Sequence, residues 1–179
     1  MALVPSIDAL AARGVVVAAG AIGAMLLASG VDKLRRHDDF LGTLAAYRIV
    51  PDAMIEPAAW TLGAVEVLLG AGYVIGMPSR LLGAAGLALF SVFALAMAFN
   101  ILRGRTNLSC GCVPGLDGER LTWAGVGRAA LCAVLSLALP LGDRVHGIAR
   151  VEDVMGGACL FVLIVATALL SPRPAGTAA

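Results

Sequence analysis

Two cysteines stand one residue apart in Asn107-Leu108-Ser109-Cys110-Gly111-Cys112-Val113-Pro114-Gly115, a polar stretch between two long apolar runs. Residues two apart in a trans chain lie about 5.5–7 Å between Cα atoms, within or near the range a disulfide needs. Gly111 gives the backbone the freedom that so small a ring requires. Such a ring is strained, and strained, exposed disulfides are the oxidising, labile ones. Arg103, Arg105 and Arg120 flank the pair and favour thiolate over thiol. The chemistry these residues offer is thiol–disulfide exchange. A purely structural bridge, or two unrelated cysteines, is the plain alternative. Two thiolates with only His37 and His146 as further ligands make a poor zinc set, so no metal site is expected.

Glu66 and Arg128 are the next candidates. Each is an ionisable residue inside an apolar run. Such groups are costly in a bilayer and mark function by default. Glu66 could relay protons during dithiol oxidation, and Arg128 could attract a thiolate, a quinone oxygen or another anion. The structural alternatives are an ion pair of Glu66 with Lys33 or Arg128, a hydrogen bond of Glu66 to Asn100, and an Arg128 that snorkels to the interface. Cys132 follows Arg128 by one helical turn, and Cys159 lies in the last apolar run. Both read as small packing residues, although a second redox pair is open to them. Gly63 with Gly70, and Gly83 with Gly86, read as close helix contacts. His37 reads as a solvated interfacial residue.

The elements that must carry these groups are membrane helices. The 179 residues are 60% apolar and 14% charged, where a soluble domain is nearer half and a quarter. Apolar runs predict spans at about 12–30, 58–77, 81–102, 123–141 and 154–170, each near the length a bilayer core demands. The shorter run at about 40–50 predicts an interfacial helix. The expected fold is all-α: a polytopic membrane protein with a four-helix-bundle core and a carboxyl-terminal fifth transmembrane helix. Residues 1–171 form one domain, and 172–179 form a disordered tail. No secretory signal peptide is expected at the amino terminus, which lacks a basic start and an A-x-A cleavage site. The net charge of +1 says nothing about nucleic acid, and with no basic patch interleaved with aromatics no nucleic-acid partner is expected.

Helices alternate direction, so the segments after the first and third spans share one face. That face collects Asp32, Lys33, Arg35, Arg36, Asn100, Arg103, Cys110, Cys112 and Arg120. Glu66 lies roughly 12–15 Å from it at about 1.5 Å per residue. The positive-inside rule places this face in the cytoplasm, whereas lasting disulfide chemistry belongs outside it.

The chain resembles the methylamine utilisation protein MauE family, within the broader DoxX-like membrane proteins. The resemblance rests on Ser29-Gly30-Val31-Asp32-Lys33-Leu34 with Tyr47-Arg48-Ile49-Val50-Pro51, on Glu66-Val67-Leu68-Leu69-Gly70, and on Arg103-Gly104-Arg105 through Cys110-Gly111-Cys112 to Trp123 and Arg128. It covers about residues 15–142. Where the family leads one to expect an aromatic residue and glycine after the second cysteine, this chain has Val113-Pro114-Gly115. The resemblance implies a protein of the inner, cytoplasmic membrane with its cysteine loop on the periplasmic side. It implies a part in maturing the disulfide-rich small subunit of methylamine dehydrogenase, beside a thioredoxin-like periplasmic partner, MauD. The exchange of electrons would be with that partner or with a membrane quinone. The rival expectations are a non-catalytic membrane chaperone or anchor for a redox partner, a small-molecule transporter with Glu66 and Arg128 in its path, and a cytoplasmic thiol sensor.

Overall fold

The protein's structure, a computed structural model, describes residues 6–76, 79–108, 120–142 and 148–170. Cys110, Cys112, His146, the turn at Met77-Pro78 and the tail 172–179 lie outside the described residues.

Helix α1 runs from Ile7 to Arg35, longer at both ends than its apolar run. Ser6 starts it by accepting the Ala9 N–H at 3.3 Å, which satisfies one of the orphan donors of the first turn. Helix α2, His37–Tyr47, is the short element expected near 40–50. It ends where Arg48 takes a left-handed conformation at φ 50. Helix α3, Asp52–Ile75, begins ahead of the expected 58 and carries Pro57 within it. Its first turn forms because Pro51 is already held extended, and the Met54 N–H bonds to the Pro51 carbonyl at 2.8 Å. Helix α4 spans Ser79–Leu102.

The next element differs from expectation. Helix α5, Trp123–Leu137, stops after 15 residues, and a short α6, Leu139–Gly142, follows. Pro140 has no N–H to continue α5 and crowds the carbonyl four residues back. Fifteen residues rise only about 22 Å. Helix α7, Ile148–Leu170, starts before the expected 154. Among the described residues, three helices are long and apolar enough to cross a membrane: α1, α3 and α4. The described residues are therefore all-helical with three candidate spans, and the expected fourth span at 123–141 is not one uninterrupted helix.

Small residues decide how these helices pack. Helices α1 and α3 run antiparallel, with Gly23 facing Gly70 and Gly30 facing Gly63. The two pairs are seven residues apart on each helix, which is two turns and hence one face. A Cβ on Gly30 would lie 2.8 Å from the Gly63 carbonyl oxygen, and one on Gly70 2.8 Å from that of Gly23. On another side of α1, Gly20 packs on the Val154 backbone and Gly157 of α7 on the Val17 carbonyl. The Arg13 guanidinium clasps both Asp153 carboxylate oxygens at 2.8–3.2 Å beside that contact. Helix α4 packs along α5, where Gly83 meets the Ser136 carbonyl. Gly86 leaves room for the Tyr73 hydroxyl, which donates to Ser136 Oγ at 2.8 Å. The glycine contacts expected at positions 63, 70, 83 and 86 are thus real. A shared core of Ile22, Leu26, Tyr73, Phe90, Ala133 and Leu139 joins the helices, whereas α3 and α4 touch each other sparsely.

Gly157→Ala drives a methyl group into the α1 backbone, whereas a methyl at the adjacent Gly156 meets nothing within 4 Å. Gly157→Ala should cost about 1–3 kcal/mol, the usual range for overpacking, and Gly156→Ala should cost nothing measurable. Unfolding of the two purified variants in detergent checks this; equal stability would dismiss the α1–α7 contact.

Candidate functional site

Among the described residues, the most buried charges belong to α1 and α3. Glu66 is completely buried and Lys33 is 6% exposed. Lys33 Nζ donates to both Glu66 carboxylate oxygens, at 2.8 and 2.9 Å. It also donates to the Ser29 hydroxyl one turn back on α1, and that hydroxyl bonds to the Glu66 carboxylate. The ammonium lies 5.3 Å from the Phe40 ring centroid and 6.0 Å from that of Phe93, which adds cation–π attraction from two sides. The triad is neutral overall and every ammonium proton has an acceptor. Removing either charged partner strands the other in a dry interior.

Sequence reasoning named Lys33 as one partner for Glu66, and the structure joins them. It does not join Glu66 to Asn100: the Glu66 carboxylate is bonded to Lys33 and Ser29, and Asn100 Nδ2 donates to the Ala96 carbonyl at 3.1 Å. Arg128 is exposed on α5, with its charge near the Cys132 thiol. Cys132 packs against the core and Cys159 is exposed on α7, both as free thiols. His37 is not the solvated residue expected. Its ring stacks on Trp60 at 4.3 Å between centroids, and neither ring nitrogen has a hydrogen-bond partner.

The residues on either side of the cysteine pair are tied to the bundle. The Leu121 N–H donates to the Thr106 carbonyl at 2.9 Å, which closes the base of the intervening stretch. Leu108 and Leu121 pack with Tyr47 of α2 and Met97 of α4. The end of α2 therefore lies beside the end of α4, whereas Lys33, expected on that face, is buried in the bundle and Cys110 and Cys112 lie outside the described residues. Among the described residues, two buried polar atoms near the end of α4 lack partners. Asn100 Oδ1 is one, on a fully buried side chain, and Arg105 Nη1 is the other. Arg105 stands five residues before Cys110. Arg103 instead turns back over the Phe99 ring at 4.7 Å.

A feature without a local sequence signal lies between α2, α3 and α4. Because α3 and α4 barely touch, they leave a cavity of about 780 Å³. Its lining is apolar apart from Lys33 at one end, and Phe40, Tyr47 and Phe93 form part of the wall. The Thr43 and Thr61 hydroxyls on its wall bond back to Asp39 and Pro57 carbonyls, so they present carbon to the space.

Glu66→Leu leaves the Lys33 ammonium unpaired and should cost about 3–5 kcal/mol. Lys33→Met combined with Glu66→Leu should recover most of that loss, since an apolar pair of similar volume avoids the desolvation penalty. Detergent unfolding of the single and double variants measures both. A single variant as stable as the parent would mean the pair does not hold α1 to α3.

The family model described as methylamine utilisation protein MauE matches residues 11–142. The chain is 32% identical over 158 residues to a methylamine utilization protein MauE of Paracoccus versutus, covering 86% of this chain and 85% of the relative. It is 33% identical over 118 residues to the protein of that name in Paracoccus denitrificans, covering 66% and 63%. With the one in Methylorubrum extorquens it shares 36% identity over 115 residues, covering 64% and 62%. No solved structure matches the chain. The match over most of the helical bundle shows that the chain belongs to the MauE family.

Proposed function

We propose that this multi-pass membrane protein serves methylamine utilisation by supporting maturation of a periplasmic enzyme, the methylamine dehydrogenase small subunit, through thiol–disulfide exchange at Cys110 and Cys112. The observation that carries the reading is the anchored base of the cysteine segment. Thr106 and Leu121 are hydrogen-bonded together and Leu108 packs on the bundle, so the described residues on either side of the cysteines are held at one end of the bundle. The names of the relatives, all methylamine utilization proteins, supply the process.

In the proposed exchange a client thiolate attacks one sulfur of the Cys110–Cys112 disulfide. A mixed disulfide forms and the other cysteine leaves as a thiolate. The client's second thiolate then attacks the client sulfur of the mixed bond. The client emerges oxidised, and Cys110 and Cys112 emerge as the dithiol holding the two electrons. A periplasmic thioredoxin-like protein of the MauD type restores the disulfide by taking up that pair of electrons. The same steps in reverse would reduce a wrongly paired client disulfide to the dithiol and return Cys110 and Cys112 to the disulfide. Arg105, five residues before Cys110 in the sequence and with Nη1 unpartnered among the described residues, is the group this reading assigns to favour the departing thiolate. Arg128 and Glu66 take no direct part in these steps. In this reading α5 with α6 completes a fourth crossing and α7 a fifth, so that the bundle sits in the inner membrane with the cysteine stretch outside the cytoplasm.

The test is a double Cys110→Ser, Cys112→Ser variant in a methylamine-grown host whose own copy is deleted. The expected result is normal levels of the membrane protein with loss of active methylamine dehydrogenase and an incompletely disulfide-bonded small subunit. A membrane-impermeant maleimide should label the wild-type cysteines in intact cells only after reduction. Full maturation by the variant would leave the protein as a non-catalytic anchor for its partner. Labelling that requires broken cells would put the site in the cytoplasm and end the periplasmic reading.

A further inference from the structure

Helix α4 ends by setting two polar side chains beside each other. The Gly104 N–H donates to the Ile101 carbonyl at 2.9 Å, and the Arg105 N–H donates to the Asn100 carbonyl at 2.9 Å. Gly104 takes a left-handed conformation at φ 73, which a residue without Cβ adopts freely. This pair of bonds around a left-handed residue is the Schellman ending of a helix. It brings the residue after the glycine back against the last turn, and the two side chains that meet there are commonly apolar. Here they are Asn100 and Arg105.

Packing alone does not account for that choice. Asn100 is completely buried. Its Nδ2 donates to the Ala96 carbonyl, which fixes the orientation of the amide and leaves Oδ1 without a donor. Arg105 Nη1 is buried without an acceptor. Each unpartnered atom carries the full desolvation penalty of its group, and leucine at position 100 would avoid it. One atom is an acceptor and the other a donor, and the helix ending sets both side chains against the same turn. Asn100 thus supplies a neutral acceptor that the flexible Arg105 side chain can take up or leave by turning about its own bonds.

An arginine on a neutral acceptor yields to an anion, because hydrogen bonds between charged groups are roughly twice as strong as neutral ones. In the thiol-exchange reading, on which this inference rests, Cys110 and Cys112 pass between a neutral disulfide and a dithiol that carries a thiolate, and Arg105 favours the thiolate. We propose that Asn100 is a positioning residue for this exchange: its side-chain carbonyl holds the Arg105 guanidinium through Nη1 while the pair is a disulfide, and gives it up to the thiolate when the pair is reduced. Asn100 thereby stabilises the disulfide state and keeps the pair a weaker oxidant than Arg105 alone would make it. Of the other flanking cations, Arg103 is turned over the Phe99 ring and Arg120 is exposed. Asn100 also stands one turn from Met97, which packs with Tyr47, Leu108 and Leu121, so the exchange of partners is felt where the cysteine segment is anchored.

The test uses reduced full-length protein in phosphatidylcholine nanodiscs, with Cys132→Ala and Cys159→Ala so that iodoacetamide reports on Cys110 and Cys112 alone. The rate of alkylation against pH gives the midpoint of thiolate formation. Arg105→Gln should raise that midpoint. Asn100→Leu removes the competing acceptor and should lower it by roughly half a pH unit, the weight of about one net hydrogen bond, while raising the reduction potential measured against glutathione. The double Asn100→Leu, Arg105→Gln variant should titrate as Arg105→Gln does. A merely structural asparagine would leave the midpoint where it is, and damage to the end of α4 would raise it by misplacing Arg105. Asn100→Ala gives the same reading if the leucine variant does not fold. An unmoved midpoint in Arg105→Gln would overturn the role of Arg105 in the thiol-exchange reading and this inference with it. A midpoint that Arg105→Gln raises, but that Asn100→Leu and Asn100→Ala raise or leave unchanged, would overturn the inference and leave that reading standing.

Discussion

One buried ion pair sets the geometry on which the rest depends. A lysine and a glutamate deep among apolar helices are tolerable only if each satisfies the other, because stripping water from either costs several kcal/mol. Lys33 and Glu66 meet at 2.8 Å only because their helices come unusually close. That approach is made by the glycine pairs beside them, Gly30 with Gly63 and Gly23 with Gly70. The dependence runs both ways. Bare backbone contact gives dispersion attraction but little to choose between neighbouring registers in lipid, where no hydrophobic force drives helices together. A slip of one turn would move Glu66 about 5.4 Å along the axis and leave both charges unpaired. Glycine permits the approach and the charges select the register.

From that pair the fold extends in two directions. Helix α1 lies between α3 and α7, and the α7 contact is again glycine against backbone, held by the Arg13–Asp153 ion pair near the end of α1. Helices α4 and α5 form a second unit, and the Tyr73–Ser136 hydrogen bond reaches it from α3 through the space that Gly86 leaves open. The bond comes from near the carboxyl end of α3. Toward the amino end of the same helix nothing comparable joins α3 to α4, and the cavity occupies that gap. A clamp at one end and a gap at the other are what two helices diverging from a common contact produce.

Much of this was legible in the sequence, and the parts that were not share a cause. Helix positions followed from apolar runs, close contacts from glycine spacing, and the importance of Glu66 from its charge in a span. Lys33 was harder, because Asp32-Lys33-Leu34-Arg35-Arg36 reads as the polar end of a helix. In fact α1 continues to Arg35, and Lys33 turns inward along it while Arg35 stays outside. A charged residue's choice between core and interface depends on what faces it from another helix, and a single helix's pattern does not carry that. The shortness of α5 was visible in Pro140, but hydropathy averages across such a break. His37 illustrates the same limit: only its tertiary neighbour Trp60 makes it a packed residue.

The cysteine segment and the cavity are joined by a structural argument that neither the motif nor the fold supplies alone. Tyr47 ends α2 just before the left-handed residue Arg48. That reversal returns the chain toward α3 and leaves Tyr47 against Met97, Leu108 and Leu121. The same tyrosine and methionine are walls of the cavity. Any ligand that displaces them acts on the two residues that anchor the cysteine segment, and any partner that pulls on that segment acts on the cavity wall. Coupling between sites requires a contiguous set of packed groups with more than one arrangement. Here the contiguous set is four side chains long. Asn100 Oδ1 and Arg105 Nη1, left without partners beside it, are the polar groups that an alternative arrangement would have to satisfy.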